Sequence, residues 1–407
     1  MSLGRPASER GTWDCRSPSV GGLQEYCASW RTRWGPSSVR LAALASPFEV
    51  EIQPSAACQL GCSYCIGARL GQTRFAAARL EPGDLNSLLD ECSGHRVARF
   101  RLSGLSGDPL APGVQAFTLD FARKAIADGR QVGVFTNGLG LDEDAVLALT
   151  GAEYVNLGLD AGTRDTYVRV KGRDRFADAI QALQRLSLAR GRFGPREFGI
   201  VFVVTPENVG EVGMVLDLAA EVGAGRVRLR PSLCATDAAS AWAWELAQQH
   251  ALRHPLSRRV GLVVSAGDRR IARRPESLKR CDPQWLCTTV GPDGLLYPCD
   301  HLTGTGTSLG DVRRDGFWSV WRAAVAGGRL GQVTPHCRTC PPFAAVLDMA
   351  LNSEGQKTLP LATSAPIADT PTTASLVRMG PTRGGLRDRR ATAGVPRKAS
   401  PGVLRSR

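Results

Sequence analysis

A chain of 407 residues, 43% hydrophobic and 22% charged, has room for two folded domains and the composition of a globular protein. No apolar run approaches the roughly 18 residues of a membrane span, and the start "MSLGRPASERGTW" lacks the apolar stretch of a secretory signal, so the cytoplasm is the expected compartment. The net charge of +13 sits at the ends: residues 351–407 carry +7 and residues 1–47 carry +3, leaving +3 on the body, which shows no footprint for nucleic acid.

From residue 48 to about 230, strand-like and helix-like runs alternate. "FEVEIQ" (48–53) reads as a first strand, and "LNSLLDEC" (85–92) as a helix behind Pro82 and Asp84. "VARFRLSG" (97–104), "QVGVFTNG" (131–138), "EYVNLGLD" (153–160), "EFGIVFVVT" (197–205) and "RVRLRP" (226–231) follow as strands two to six, with helical segments between them. Asp142 is placed to cap the helix after strand three. Such alternation predicts an α/β fold, a partial (β/α)6 barrel of parallel strands whose C-terminal loops carry the chemistry.

A helix is expected over "DAASAWAWELAQQHAL" (237–252), with one of Trp242 and Trp244 buried because residues two apart cannot share a helix face. Trp318 and Trp321 are expected to pack in a core, "GTGTSLG" (304–310) to be a loop, and Lys171 and Arg173 to lie on a loop that is either solvated or turned toward a bound carboxylate. The chain divides into an extension (1–47), the barrel core (48–235), a helical connector (236–280), a Cys-rich domain (281–350) and a basic tail (351–407). That tail is too poor in apolar residues to fold and is expected to be disordered.

Eight of the twelve cysteines fall in two groups, a pattern of metal binding and not of scattered core thiols. Cys58, Cys62 and Cys65 form C-x3-C-x2-C directly after strand one. Structural zinc wants four protein ligands, whereas three thiolates can hold three irons of a [4Fe–4S] cube and leave the fourth iron open. The second group is Cys281, Cys287, Cys299, Cys337 and Cys340; Cys281, Gly294 and Cys299 read C-x12-G-x4-C, and Cys337 and Cys340 read C-x2-C.

C-x3-C-x2-C after strand one of such a barrel resembles the radical S-adenosylmethionine (radical SAM) superfamily. The resemblance implies that the open iron chelates the cofactor's amino and carboxylate groups. An electron from the cluster then cleaves the sulfonium, and a 5′-deoxyadenosyl radical takes a substrate hydrogen. It further implies that Tyr64 packs near the adenine, that Ser106-Gly107-Asp108-Pro109 stands for the family's Gly-Gly-Glu-Pro segment at the methionine amine, and that Asn137 and Asp160 lie on cofactor-contacting loops. In Ser106 and Asp108 the sequence departs from that pattern, so a backbone-mediated role is the one that survives. The second group is similar to the SPASM or twitch auxiliary-cluster region, and no cysteine after Cys340 supplies a second auxiliary cluster. One auxiliary [4Fe–4S] cluster on Cys281, Cys299, Cys337 and Cys340 is expected, with Cys287 as a possible replacement and a four-thiolate zinc site as the alternative.

The resemblance implies an oxidoreductase or isomerase reduced by a flavodoxin or ferredoxin. The first 47 residues do not supply a leader-binding domain, which points to a small-molecule substrate such as an aminocyclitol or sugar; modification of a ribosomally made peptide is the alternative. A non-catalytic iron–sulfur or zinc module is the contrasting class. Cys234, on the loop leaving strand six, is either a small buried hydrophobe or a hydrogen-atom donor to a substrate radical.

Overall fold

The computed structural model describes residues 46–69, 77–95, 97–232, 237–258, 260–264, 281–285, 287–335 and 337. The N-terminal extension, Cys234, Cys340 and the basic tail lie outside these residues.

Ten strands form one sheet: β1 (Glu49–Ile52), β2 (Arg99–Leu102), β3 (Gln131–Thr136), β4 (Tyr154–Gly158), β5 (Phe198–Val204), β6 (Arg226–Pro231), β7 (Leu262–Val264), β8 (Cys287–Val290), β9 (Leu295–Tyr297) and β10 (Gly310–Asp311). The helices are α1 (Ile66–Arg69), α2 (Pro82–Gly94), α3 (Gln115–Ala127), α4 (Glu143–Ala148), α5 (Arg164–Lys171), α6 (Phe176–Ala189), α7 (Val212–Glu221), α8 (Ala238–Arg253), α9 (Val312–Asp315) and α10 (Phe317–Ala326). Strand order is β10-β9-β8-β1-β2-β3-β4-β5-β6-β7, parallel from β8 through β7, so the barrel stays open.

Alternation along the strands sorts the side chains. Val50, Ile52, Phe100, Leu102, Val227 and Leu229 are buried in the core shared with the helices. Their neighbours Glu49, Glu51, Arg99 and Arg101 pair with one another on the opposite, concave face. Local signals set the helices: Glu81 and Asp84 make a capping box with Pro82 at the first position of α2, and Asp142 accepts from the Ala145 N–H at 2.8 Å to cap α4. Trp244 is buried and Trp242 exposed; Trp321 is fully buried, while Trp318 is half-buried and stacks on His95 at 3.7 Å.

Two features differ from the sequence expectation. Residues 164–171 form helix α5 instead of a loop, because Thr163 caps its start and Gly172, at φ 71°, ends it. The connector contains β7, a three-residue strand too short to show a period. The Cys-rich region follows the core and continues its sheet: β8 pairs in parallel with β1, and β9 and β10 extend the same sheet antiparallel. Glu91 of α2 receives the N–H groups of Phe317 and Trp318 at 3.1 and 2.8 Å, and Arg313 of α9 reaches Asp84 at 2.9 Å, fastening this region to the core. Among the described residues no helix is long and apolar enough to cross a membrane.

Candidate metal and cofactor site

The loop after β1 is held by its backbone, which leaves the thiols available. Gly61 and Ser63 donate to the carbonyls of Lys171 and Val170 at 2.9 and 3.0 Å, so the end of α5 acts as a splint for the cysteines. On the other side Asp108 donates to Ala57 at 3.0 Å. The Ser106-Gly107 segment presses so closely that a Cβ on Gly107 would fall 1.9 Å from the Ser55 carbonyl oxygen; one on Gly67 would fall 2.4 Å from Ser106 Cα. No side chain fits at either position.

Asn137 Nδ2 lies 3.5 Å from Cys58 Sγ and donates to Gln59 at 3.0 Å; Cys65 Sγ lies 3.9 Å from the Leu105 carbonyl. Burial, aided by Asp108, pushes the Cys58 thiol up to about 11, and burial likewise raises Cys62.

Below the loop, Asp160 is a hub. Its backbone sits at φ 57°, a left-handed conformation that aspartate tolerates better than most residues. Tyr64 Oη and Lys171 Nζ both donate to its Oδ2, the Val203 N–H donates to Oδ1, and Asn208 Nδ2 donates to its carbonyl at 2.9 Å. Burial alone would discharge Lys171, but the Asp160 charge outweighs it and the ammonium is held above its ordinary pKa. Lys171, given above as a loop residue, is thus a buried cation beside Cys62 and 5.6 Å from the Tyr64 ring centroid, while Arg173 is exposed.

Asp108 is saturated. Its carboxylate accepts from Leu110 N–H at 2.9 Å, Thr136 Oγ1 at 2.9 Å and Asn137 N–H at 2.6 Å, tying the loops after β2 and β3 together. Glu211 does the same for α5, accepting from Gly162 N–H, Thr163 N–H and the hydroxyls of Thr163 and Thr166. Burial would raise its pKa, but these donors outweigh it and hold the carboxyl below its usual range. Nothing in the local sequence marks Glu211, whose partners lie more than 40 positions away; Asn208 joins its distant acceptor, the Asp160 carbonyl, to the nearby Val203 carbonyl and Thr205 N–H.

The second cysteine group lies along β8–β9 and its flanks. Cys281 donates to the Gly331 carbonyl at 2.8 Å, and Gln284 clasps Gly331 and Gln332; Cys337 follows in a turn closed on Thr334. Cys299 precedes the short turn Asp300–Leu302. Thr289 pairs with Tyr297, Cys287 opens β8, and Cys299 stands two residues past the end of β9. Cys287 also pairs in register with Glu49, and burial raises its thiol pKa. Four of the five expected ligands are thus placed.

Among the described residues no three His, Cys, Asp or Glu side chains converge to hold a single metal ion. Family comparison matches residues 52–219 to the radical SAM superfamily and residues 281–341 to SPASM, an iron-sulfur cluster-binding domain.

The chain belongs to the radical SAM superfamily. Its radical SAM domain takes a [4Fe–4S] cluster and SAM, and its SPASM domain takes auxiliary iron–sulfur. Among similar proteins, mycofactocin maturase MftC of Mycobacterium ulcerans is 28% identical over 290 residues, 66% of this chain and 72% of the relative. The PqqA peptide cyclase of Streptomyces rochei is 26% identical over 322 residues, 74% and 83%. The structure of Streptococcus suis SuiB bound to precursor peptide SuiA shares the fold, with a TM-score of 0.56 at 14% identity over 79% of this chain and 74% of that one.

Proposed function

We propose that this radical SAM enzyme is a maturase acting on a peptide. The observation that carries the reading is the similarity, over 74% and 66% of the chain, to a relative named as a peptide cyclase and to another named as a maturase. The open sheet is compatible with a long substrate. The small-molecule substrate expected from the first 47 residues gives way to this reading.

Cys58, Cys62 and Cys65 hold the SAM-binding cluster, and Cys281, Cys299 and Cys337 with Cys287 or Cys340 hold the auxiliary one. When bound, the cluster and SAM supply a radical that abstracts a substrate hydrogen. Tyr64, Ser106, Gly107, Asp108, Asn137 and Asp160 shape the cofactor's bed. Because the carboxylate of Asp108 already has its donors, what that loop offers the methionine amine is backbone carbonyls.

The test is anaerobic. Reconstituted, reduced protein should convert SAM to 5′-deoxyadenosine, and a peptide encoded beside the gene should emerge with a changed mass. Cleavage that only sugars or aminocyclitols stimulate would return the substrate to the small-molecule class.

A further inference from the structure

Strand β6 reads Arg226-Val227-Arg228-Leu229-Arg230-Pro231. Val227 and Leu229 are fully buried in the helix-side core, so the three arginines share the face that looks into the barrel. Other charges there are matched. Arg99 and Arg101 take Glu49 and Glu51, Lys171 takes Asp160, and Arg226 meets Glu197 at 3.0 Å.

Among the described residues no carboxylate forms an ion pair with Arg228 or Arg230. Arg228 lays its guanidinium 5.7 Å from the Phe135 ring centroid, and its buried Nε has no acceptor. Burial and the neighbouring Arg230 bring the pKa of Arg228 down to about 9. Burial also lowers Arg230, with Asp300 only partly offsetting it. Register gives the depth. Arg230 pairs with Val203, whose N–H donates to Asp160, so it stands level with the Asp160–Tyr64–Lys171 group; Arg228 lies about 6.6 Å deeper.

We propose that Arg228 and Arg230 form a subsite that binds a carboxylate of the substrate, an inference that rests on the peptide reading above. A buried guanidinium without a counter-ion is unfavourable, and a carboxylate offers two acceptors matched to its fork. A phosphate dianion suits the place less, because Asp300, Asp160 and Glu51 already act on Arg230. The carboxylate belongs either to a peptide C-terminus or to an Asp or Glu side chain. Holding it below the level of Asp160 leaves the adjoining chain to run up past the cofactor loops.

The experiment uses reconstituted, SAM-loaded holoenzyme and three probes: N-acetylalanine for a C-terminal carboxylate, Nα-acetylaspartate N-methylamide for a side-chain carboxylate, and N-acetylalanine amide as the neutral control. Calorimetry reads their binding, and mass spectrometry reads phenylglyoxal labelling of Arg228. At least one acid should bind and shield Arg228 while the amide does neither, and the tighter acid assigns the source. R228Q and R230Q should each weaken the acid about tenfold, with R228K recovering part of the loss and equilibrium SAM binding unchanged. Equal binding of the amide, failure of both acids to shield Arg228, or loss of SAM affinity in R228Q would overturn the assignment. Acid binding without any peptide product would count against the maturase reading alone.

Discussion

Lys171 and Asp160 decide whether the cysteine loop keeps its shape, because the pair is buried and the helix end carrying Lys171 also carries the backbone acceptors for Gly61 and Ser63. Lys171→Met leaves the Asp160 carboxylate buried without a cation, at a cost of about 3–5 kcal/mol. Adding Asp160→Asn should restore part of that stability, since the pair is coupled. Anaerobic urea unfolding of the single and double variants checks this; strict additivity would count against the pair as the hub. Changing Cys58, Cys62 and Cys65 to Ala should take iron from about eight per chain to about four and abolish SAM cleavage, leaving the auxiliary cluster. Stoichiometric zinc beside four irons would instead show that the second group is a zinc site. A third residue links to pH. Glu51 is buried under 4% exposed beside Ser103 and Arg101, and burial raises its pKa to about 7. A folded-state value above the unfolded one means that the native state binds the extra proton, so stability falls as pH rises from about 4.5 to about 7. Glu51→Gln should flatten that slope, with Glu49 still paired to Arg101. An unchanged slope in urea midpoints across this window would show that Glu51 does not titrate there.

At the scale of elements, Glu91 joins two helices that are far apart in sequence. Its carboxylate receives two N–H groups at the start of α10, where the helix dipole is positive. Glu91→Gln keeps one acceptor and loses the charge, and should cost about 1 kcal/mol by denaturant titration with no change in iron content. The six core strands were legible because period-two runs such as "RVRLRP" and short continuous apolar runs such as "FGIVFVV" stand between turn residues. Helix α5 was not: "RDTYVRVK" mixes β-branched and charged residues that hide the local start and stop signals of Thr163 and Gly172, and the Glu211 contacts that support it lie more than 40 positions away. The cysteines were legible by spacing alone. Their supports were not, since the Asp160 and Asp108 networks join residues from separate βα units that only the fold brings together. The arginine face of β6 was visible in principle, as three cations two apart in a strand, but which side faced inward depended on register.

The described strands all belong to one sheet, and this changes what the Cys-rich region is for. Strand β1 has β2 on one side and β8 on the other, in register from Glu49↔Cys287 to Ile52↔Val290. Removing the region would leave β1 as a bare edge of unpaired N–H and C=O groups, flanked by the apolar ground that Phe317, Val320 and Trp321 now cover. It would also free Glu91 and Asp84 of their partners on α9 and α10. A chain ending at residue 280 should therefore aggregate or fail to hold the first cluster, although every ligand of that cluster precedes the cut. Anaerobic reconstitution followed by size-exclusion chromatography and iron assay decides it. A soluble fragment with about four irons and normal SAM cleavage would show that the pairing of β8 with β1 is dispensable. The contrast with a loosely tethered module is physical: β8, which begins at Cys287, is hydrogen-bonded along its length to β1, which leads into the loop of Cys58, Cys62 and Cys65, so both cysteine segments are anchored on one sheet.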